Sequence, residues 1–121
     1  VRCLQDGADF AAIHVEAPDE CTHNGDLQGK LQAIEWLDSR VTAPLLEKLA
    51  ASGIEAYRLL MLSDHKTLTA TRGHDGDPVP YLIYDSRKDS GFGGSYDEPT
   101  GMAGRTVEAG TALMGMLFEQ E

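Results

Sequence analysis

The chain is 121 residues long, 41% hydrophobic and 25% charged, the size and composition of one folded domain and not of a disordered tail. Twenty Asp and Glu against ten Lys and Arg leave a formal net charge of −10, a surface that repels nucleic acid and argues against a DNA or RNA role. No apolar stretch approaches the roughly 18 residues of a membrane span and no signal peptide opens the chain, so a cytoplasmic protein is expected.

The chain starts at Val1 in what reads as the last turns of a helix, which suggests truncation. Residues 9–16, "DFAAIHVE", form a nearly continuous apolar run and are expected to be a buried strand. "APDECTHNGD" is rich in Pro, Asp, Asn and Gly and reads as a loop, with Asp26 as N-cap of the next element. Leu27, Leu31, Ile34, Leu37, Val41, Leu45 and Leu49 then recur at helical spacing, and Ser52-Gly53 closes the helix. Pro44 falls inside this pattern and predicts a kink near Val41.

Tyr57 to Leu62 is a second buried strand, followed by the polar "SDHKTLTATRGHDGD". "PVPYLIYD" is a third strand whose prolines suit its entrance or an edge. Residues 86–101, Gly- and Ser-rich, read as a mobile loop, and a last helix is expected from about Arg105 to Phe118, with Gly110 and Gly115 each weakening it by roughly 1 kcal/mol. The alternation predicts an α/β fold: a layered, mostly parallel sheet with flanking helices, forming a single domain over 1–121. In such sheets ligands sit beyond the carboxyl ends of the strands, which would put the segments after the first two strands on one rim.

Three of the four histidines fall in such loops beside acids: Asp19 with His23, Asp64 with His65, and His74. Carboxylate and imidazole without thiolate suit Mn, Zn or Fe-type divalent ions better than structural zinc. Taken singly, each pair also reads as a helix-capping acid and a solvated imidazole. Two pairs on a shared rim with a third His nearby favour the metal.

"HVEAPDECTHNGD", "LMLSDHKT" and "RGHDGDPVPYLIYD" resemble the three C-terminal metal segments of archaeal-type, cofactor-independent (2,3-bisphosphoglycerate-independent) phosphoglycerate mutases, of the alkaline phosphatase superfamily. Relatives in this family also carry the label phosphonopyruvate decarboxylase. The likeness runs from about Asp9 to the end, including "KLQAIEWLDSRV". It implies an alkaline-phosphatase-like core of which this chain is a C-terminal fragment, lacking the nucleophile segment and the inserted substrate domain. Asp19, His23 and His74 would hold one metal, and Asp64 and His65 would help hold a second. The second metal also needs an Asp and a nucleophilic Ser from the part not present, so no catalytic nucleophile is expected here. The activity implied is interconversion of 3-phosphoglycerate and 2-phosphoglycerate through a phosphoserine, with two divalent ions, Mn or Zn. The fragment alone is expected to bind at most one ion, weakly, and to be inactive. Cys21-Thr22 and Lys66 stand where the family tends to have Ala-Gly and Pro; neither replaces a ligand.

A phosphatase or phosphodiesterase of the same superfamily, or a stand-alone non-catalytic metal-binding module, are the competing readings. His14 is expected to be a hydrogen-bonded sheet histidine, and Arg72 a surface salt-bridge partner or a phosphate contact. Cys21 reads as a bystander thiol; with Cys3 it fits a reducing cytosol or a single bridge. "GFGGS" lacks the Gly-Lys-Ser/Thr of a phosphate loop. Apolar surface left bare by missing strands would favour a homo-oligomer.

Overall fold

Pro44 shapes the longest helical run. It has no N–H to donate, and its ring crowds the carbonyl four residues back, at Arg40. In the computed structural model, which describes residues 1–88 and 90–118, that strain is absorbed by a π-helical segment, Leu37–Thr42, whose wider turn accommodates the mismatch. The elements in order are α1 (Arg2–Gln5), α2 (Ala17–His23), α3 (Leu27–Trp36), the π segment, α4 (Ala43–Ala50), β1 (Arg58–Leu62), β2 (Lys66–Thr67), β3 (His74–Asp75), β4 (Tyr81–Asp85), α5 (Glu98–Met102) and α6 (Ala112–Phe118). They fall into two compact units: Val1–Glu55 with Thr67–Asp75, and Ala56–Lys66 with the described residues from Gly76 onward.

In the first unit, α3, the π segment and α4 form the helical run expected from the leucine spacing, and the predicted kink lies immediately before Pro44. Asp26 caps α3, its carboxylate accepting from the Gly29 N–H at 2.8 Å. Gly29 is required there, since a β-carbon would collide with the Asp26 carboxylate and press on the Cys21 sulfur. Arg40 lies over the Trp36 ring, 4.1 Å from its centroid, a cation–π contact that covers indole with guanidinium. Ala33 and Leu49 are buried, whereas Leu27, Leu31 and Ile34 stay exposed.

Two expectations fail here. Residues 9–16 form no strand: among the described residues, strand pairing is confined to β1 with β4 and β2 with β3. Hydrophobicity alone makes no ladder, because backbone N–H and C=O need a partner edge. Phe10, Ile13 and Val15 are exposed, and His14 is an exposed side chain 3.4 Å from the Glu16 carboxylate, not a sheet histidine. The predicted loop at 17–26 is largely the helix α2.

In the second unit, β1 and β4 pair antiparallel, Arg58 opposite Asp85 and Leu62 opposite Tyr81. The helix-and-strand class is as expected, but among the described residues the strands form two two-stranded sheets, not a layered, mostly parallel one. Pro78 and Pro80 precede β4, at the entrance where a missing N–H costs no ladder bond. The expected 86–101 loop holds the start of α5, capped by Asp97, which accepts from the Thr100 N–H at 2.9 Å. The last helix begins at Ala112, not Arg105; a turn with Leu113 N–H donating to the Gly110 carbonyl leads into it. Gly104 and Gly110 bracket the part that stays non-helical, consistent with the entropy glycine loses in a helix. Leu113 is buried.

The Arg58–Asp85 pair ties this unit together. Arg58 donates to Asp85 at 2.8 Å and reaches the Met116 and Leu117 carbonyls, so one cation serves a cross-strand pair and the C-terminal end of α6. Hydrogen bonds from Arg87, then Arg58, hold the Asp85 carboxyl far below its ordinary value of 3.8. A lowered folded-state pKa means this contribution is complete above the unfolded pKa and fades as pH falls below it. Asp85→Asn is expected to lower Tm at pH 7, with the gap from wild type narrowing at pH values below 3.8; thermal melts at both pH values check this.

Candidate metal centre

Helix α2 presents the first two side chains. Pro18 suits its first turn, with Asp19 and Glu20 near the positive end of the helix dipole. Asp19 and His23 are four apart and share a face, bringing the His23 Nε2 within 3.2 Å of the Asp19 Oδ2. Thr22 is buried, its hydroxyl donating to the Pro18 carbonyl at 2.7 Å. Cys21 sits on another face against Gly29, and both cysteines are free thiols.

The third side chain arrives from the 67–75 segment. Leu68 N–H donates to the Gly73 carbonyl and Arg72 N–H to the Leu68 carbonyl, closing a tight loop. Lys30 of α3 fastens it by donating to the Thr67 carbonyl at 2.8 Å. The loop brings the His74 Nε2 to 3.3 Å from the Asp19 Oδ1 and 3.1 Å from the His23 Nε2, with ring centroids 5.0 Å apart. Thr67 steadies the acid, its hydroxyl donating to Asp19 Oδ1 at 2.6 Å.

The protons on these rings follow from their partners. The His23 Nδ1 lies 2.7 Å from the Arg72 carbonyl, which can only accept, so Nδ1 carries the proton. Its Nε2 faces a carboxylate oxygen and a second imidazole nitrogen. Electron-rich atoms so placed need a shared cation, a proton or a metal ion. Tetrahedral coordination at 2.0–2.1 Å separates neighbouring donors by roughly 3.3 Å; the two imidazole nitrogens lie 3.1 Å apart, with Asp19 Oδ2 3.2 Å from His23 and Asp19 Oδ1 3.3 Å from His74. The donor set fits a divalent ion. The side chains are 32–52% exposed, so water could complete the coordination.

In the second unit, Asp64 and His65 make a matching pair. The His65 Nε2 is 3.1 Å from the Asp64 Oδ2, and its Nδ1 faces the Lys66 carbonyl at 3.3 Å. Thus Asp19, His23 and His74 converge in one unit, and Asp64 and His65 meet in the other. The supporting groups Thr67, Lys30 and the Arg72 carbonyl were missed in the sequence. The i,i+4 Asp–His spacing behind Pro18 was the available clue to α2; a backbone carbonyl leaves none. Arg72 forms no salt bridge among the described residues, and its guanidinium rests on Gly25.

This mixed helix-and-strand chain gathers one carboxylate and two imidazoles, the donor types that bind divalent ions. Residues 2–113 match the Metalloenzyme superfamily, and the chain belongs to it. It is similar to a probable 2,3-bisphosphoglycerate-independent phosphoglycerate mutase of Geobacter sulfurreducens, 37% identical over 93% of this chain and 28% of that protein. The 2,3-bisphosphoglycerate-independent phosphoglycerate mutase of Methanosarcina barkeri is 41% identical over 92% of this chain and 28% of its own length. The Methanothrix thermoacetophila enzyme of the same name is 48% identical over 62% of this chain and 19% of its own length. The chain therefore spans less than a third of these curated relatives. No solved structure matches. Among the described residues no helix is long and apolar enough to cross a membrane.

Proposed function

We propose that this chain supplies metal ligands of a dinuclear phosphoglycerate mutase that interconverts 3-phosphoglycerate and 2-phosphoglycerate through a phosphoserine. The observation that carries the reading is the meeting of Asp19, His23 and His74 donors within 3.1 to 3.3 Å. Divalent ions, when bound, offset charge on the transferred phosphoryl group and on the oxygens it moves between. In this reading Asp19, His23 and His74 hold one ion and Asp64 with His65 contributes to a second, Mn or Zn in either case. Asp19 supplies the negative charge, Thr67 keeps its carboxylate in place, and the imidazoles give neutral donors. The acidic net charge of −10 is compatible with an anionic substrate where bound dications locally reverse the field. In this reading the named ligands hold metal, and none of them is assigned as the nucleophile.

Titration calorimetry with Mn²⁺ or Zn²⁺ tests the ligand assignment. The chain is expected to take up one ion weakly and to show no mutase activity. His74→Ala is expected to abolish uptake; unchanged binding would refute the assignment. An in-frame upstream coding segment with an Asp-Gly and a loop Ser would support the mutase, and a start codon directly before Val1 the stand-alone module.

A further inference from the structure

Among the described residues, Arg72 is the one non-glycine residue with positive φ, +56°. This left-handed conformation crowds a β-carbon against the backbone, and a residue without Asn-like or Gly-like tolerance holds it only where the surroundings impose it. Every polar part of the Arg72 backbone is used. Its N–H donates to the Leu68 carbonyl at 2.8 Å, and its carbonyl accepts from the His23 Nδ1 at 2.7 Å. Its guanidinium lies against Gly25, two residues beyond His23, so closely that a β-carbon at position 25 would overlap it. Gly25 has φ +71°, and its lack of a side chain leaves room for the guanidinium.

We propose that Arg72 is a positioning residue for His23, acting through its left-handed backbone. The turned peptide aims its carbonyl at Nδ1, fixes the proton there, and leaves Nε2 as the donor that faces Asp19 and His74. Arg72 also lies two positions before His74 in the same loop. The inference rests on the metal-site reading for its consequence, but its tautomer arm does not need a metal.

The experiment compares Arg72→Val, which disfavours positive φ strongly, with Arg72→Gly, which adopts it freely. Long-range ¹H–¹⁵N spectra of the His23 ring at pH 8 report the tautomer of the metal-free chain, and Zn²⁺ titration reports affinity. Arg72→Val is expected to lose the single Nδ1–H form and to bind Zn²⁺ about 10- to 100-fold more weakly, the usual range for groups that orient a ligand. Arg72→Gly is expected to keep the tautomer and most of the affinity. Wild-type tautomer in Arg72→Val, or equal loss in both variants, overturns the proposal. If Arg72→Val does not fold, Arg72→Ala imposes the same preference more mildly and replaces it. A wild-type chain that takes up no Zn²⁺ but shows the predicted tautomer pattern would sink the metal reading and leave the positioning role standing.

Discussion

Asp19→Asn is expected to weaken Mn²⁺ or Zn²⁺ binding on the order of 100-fold, about 2.8 kcal/mol. Asparagine matches aspartate in size and its amide oxygen can still accept from Thr67 Oγ1, which donates to Asp19 at 2.6 Å. Helix α2 and the 67–75 loop should therefore keep their places, and circular dichroism should not change. What is lost is the negative charge that faces both imidazoles, His23 at 3.2 Å and His74 at 3.3 Å. A neutral three-donor set is a far poorer host for a dication, because Coulomb attraction to the carboxylate is the largest single contribution at such short range. Calorimetry reads the change directly. Affinity within a factor of three of wild type would mean that Asp19 is a structural acid and that the cation, if any, sits elsewhere.

The second large effect concerns stability. Leu49, on α4, is 4% exposed, and Ala33 and Leu113 are the other buried hydrophobic residues among those described. With so thin a core, a single cavity removes a large share of a stability that is small to begin with. Leu49→Ala is expected to cost about 2–3 kcal/mol, within the range for buried leucines. Ile34→Ala, on the exposed side of α3 at 48% exposure, is the control and should cost well under half as much. Urea unfolding monitored by Trp36 fluorescence measures both; equal losses would show that α4 is no better packed than the exposed face of α3.

Much of the fold was legible where the signal is local. The Asp26 cap, the leucine spacing from 27 to 49, the break ahead of Pro44 and the Ser52-Gly53 stop all act within one or two turns. So do Pro78 and Pro80 at the entrance to β4. The failures share a cause. "DFAAIHVE" has the composition of a buried strand, yet whether it pairs depends on a neighbouring edge that its own residues do not specify. The direction of pairing between β1 and β4 is likewise a property of the chain path between them. Helix α2 was hidden because seven residues with Pro, Asp and Asn nearby look like a loop and carry no apolar period.

The sequence by itself determined the donor chemistry: Asp19, His23, Asp64, His65 and His74 are carboxylates and imidazoles, and helical spacing puts the first two on one face. Only the tertiary structure decided that His74, 51 positions after His23, comes within 3.1 Å of it, and that Thr67 and the Arg72 carbonyl hydrogen-bond to Asp19 and His23. Local spacing is governed by helix geometry, which any stretch of sequence displays. Contacts across fifty residues depend on loop closure and packing, and a backbone carbonyl is the same atom in every residue, so its role exists only in three dimensions.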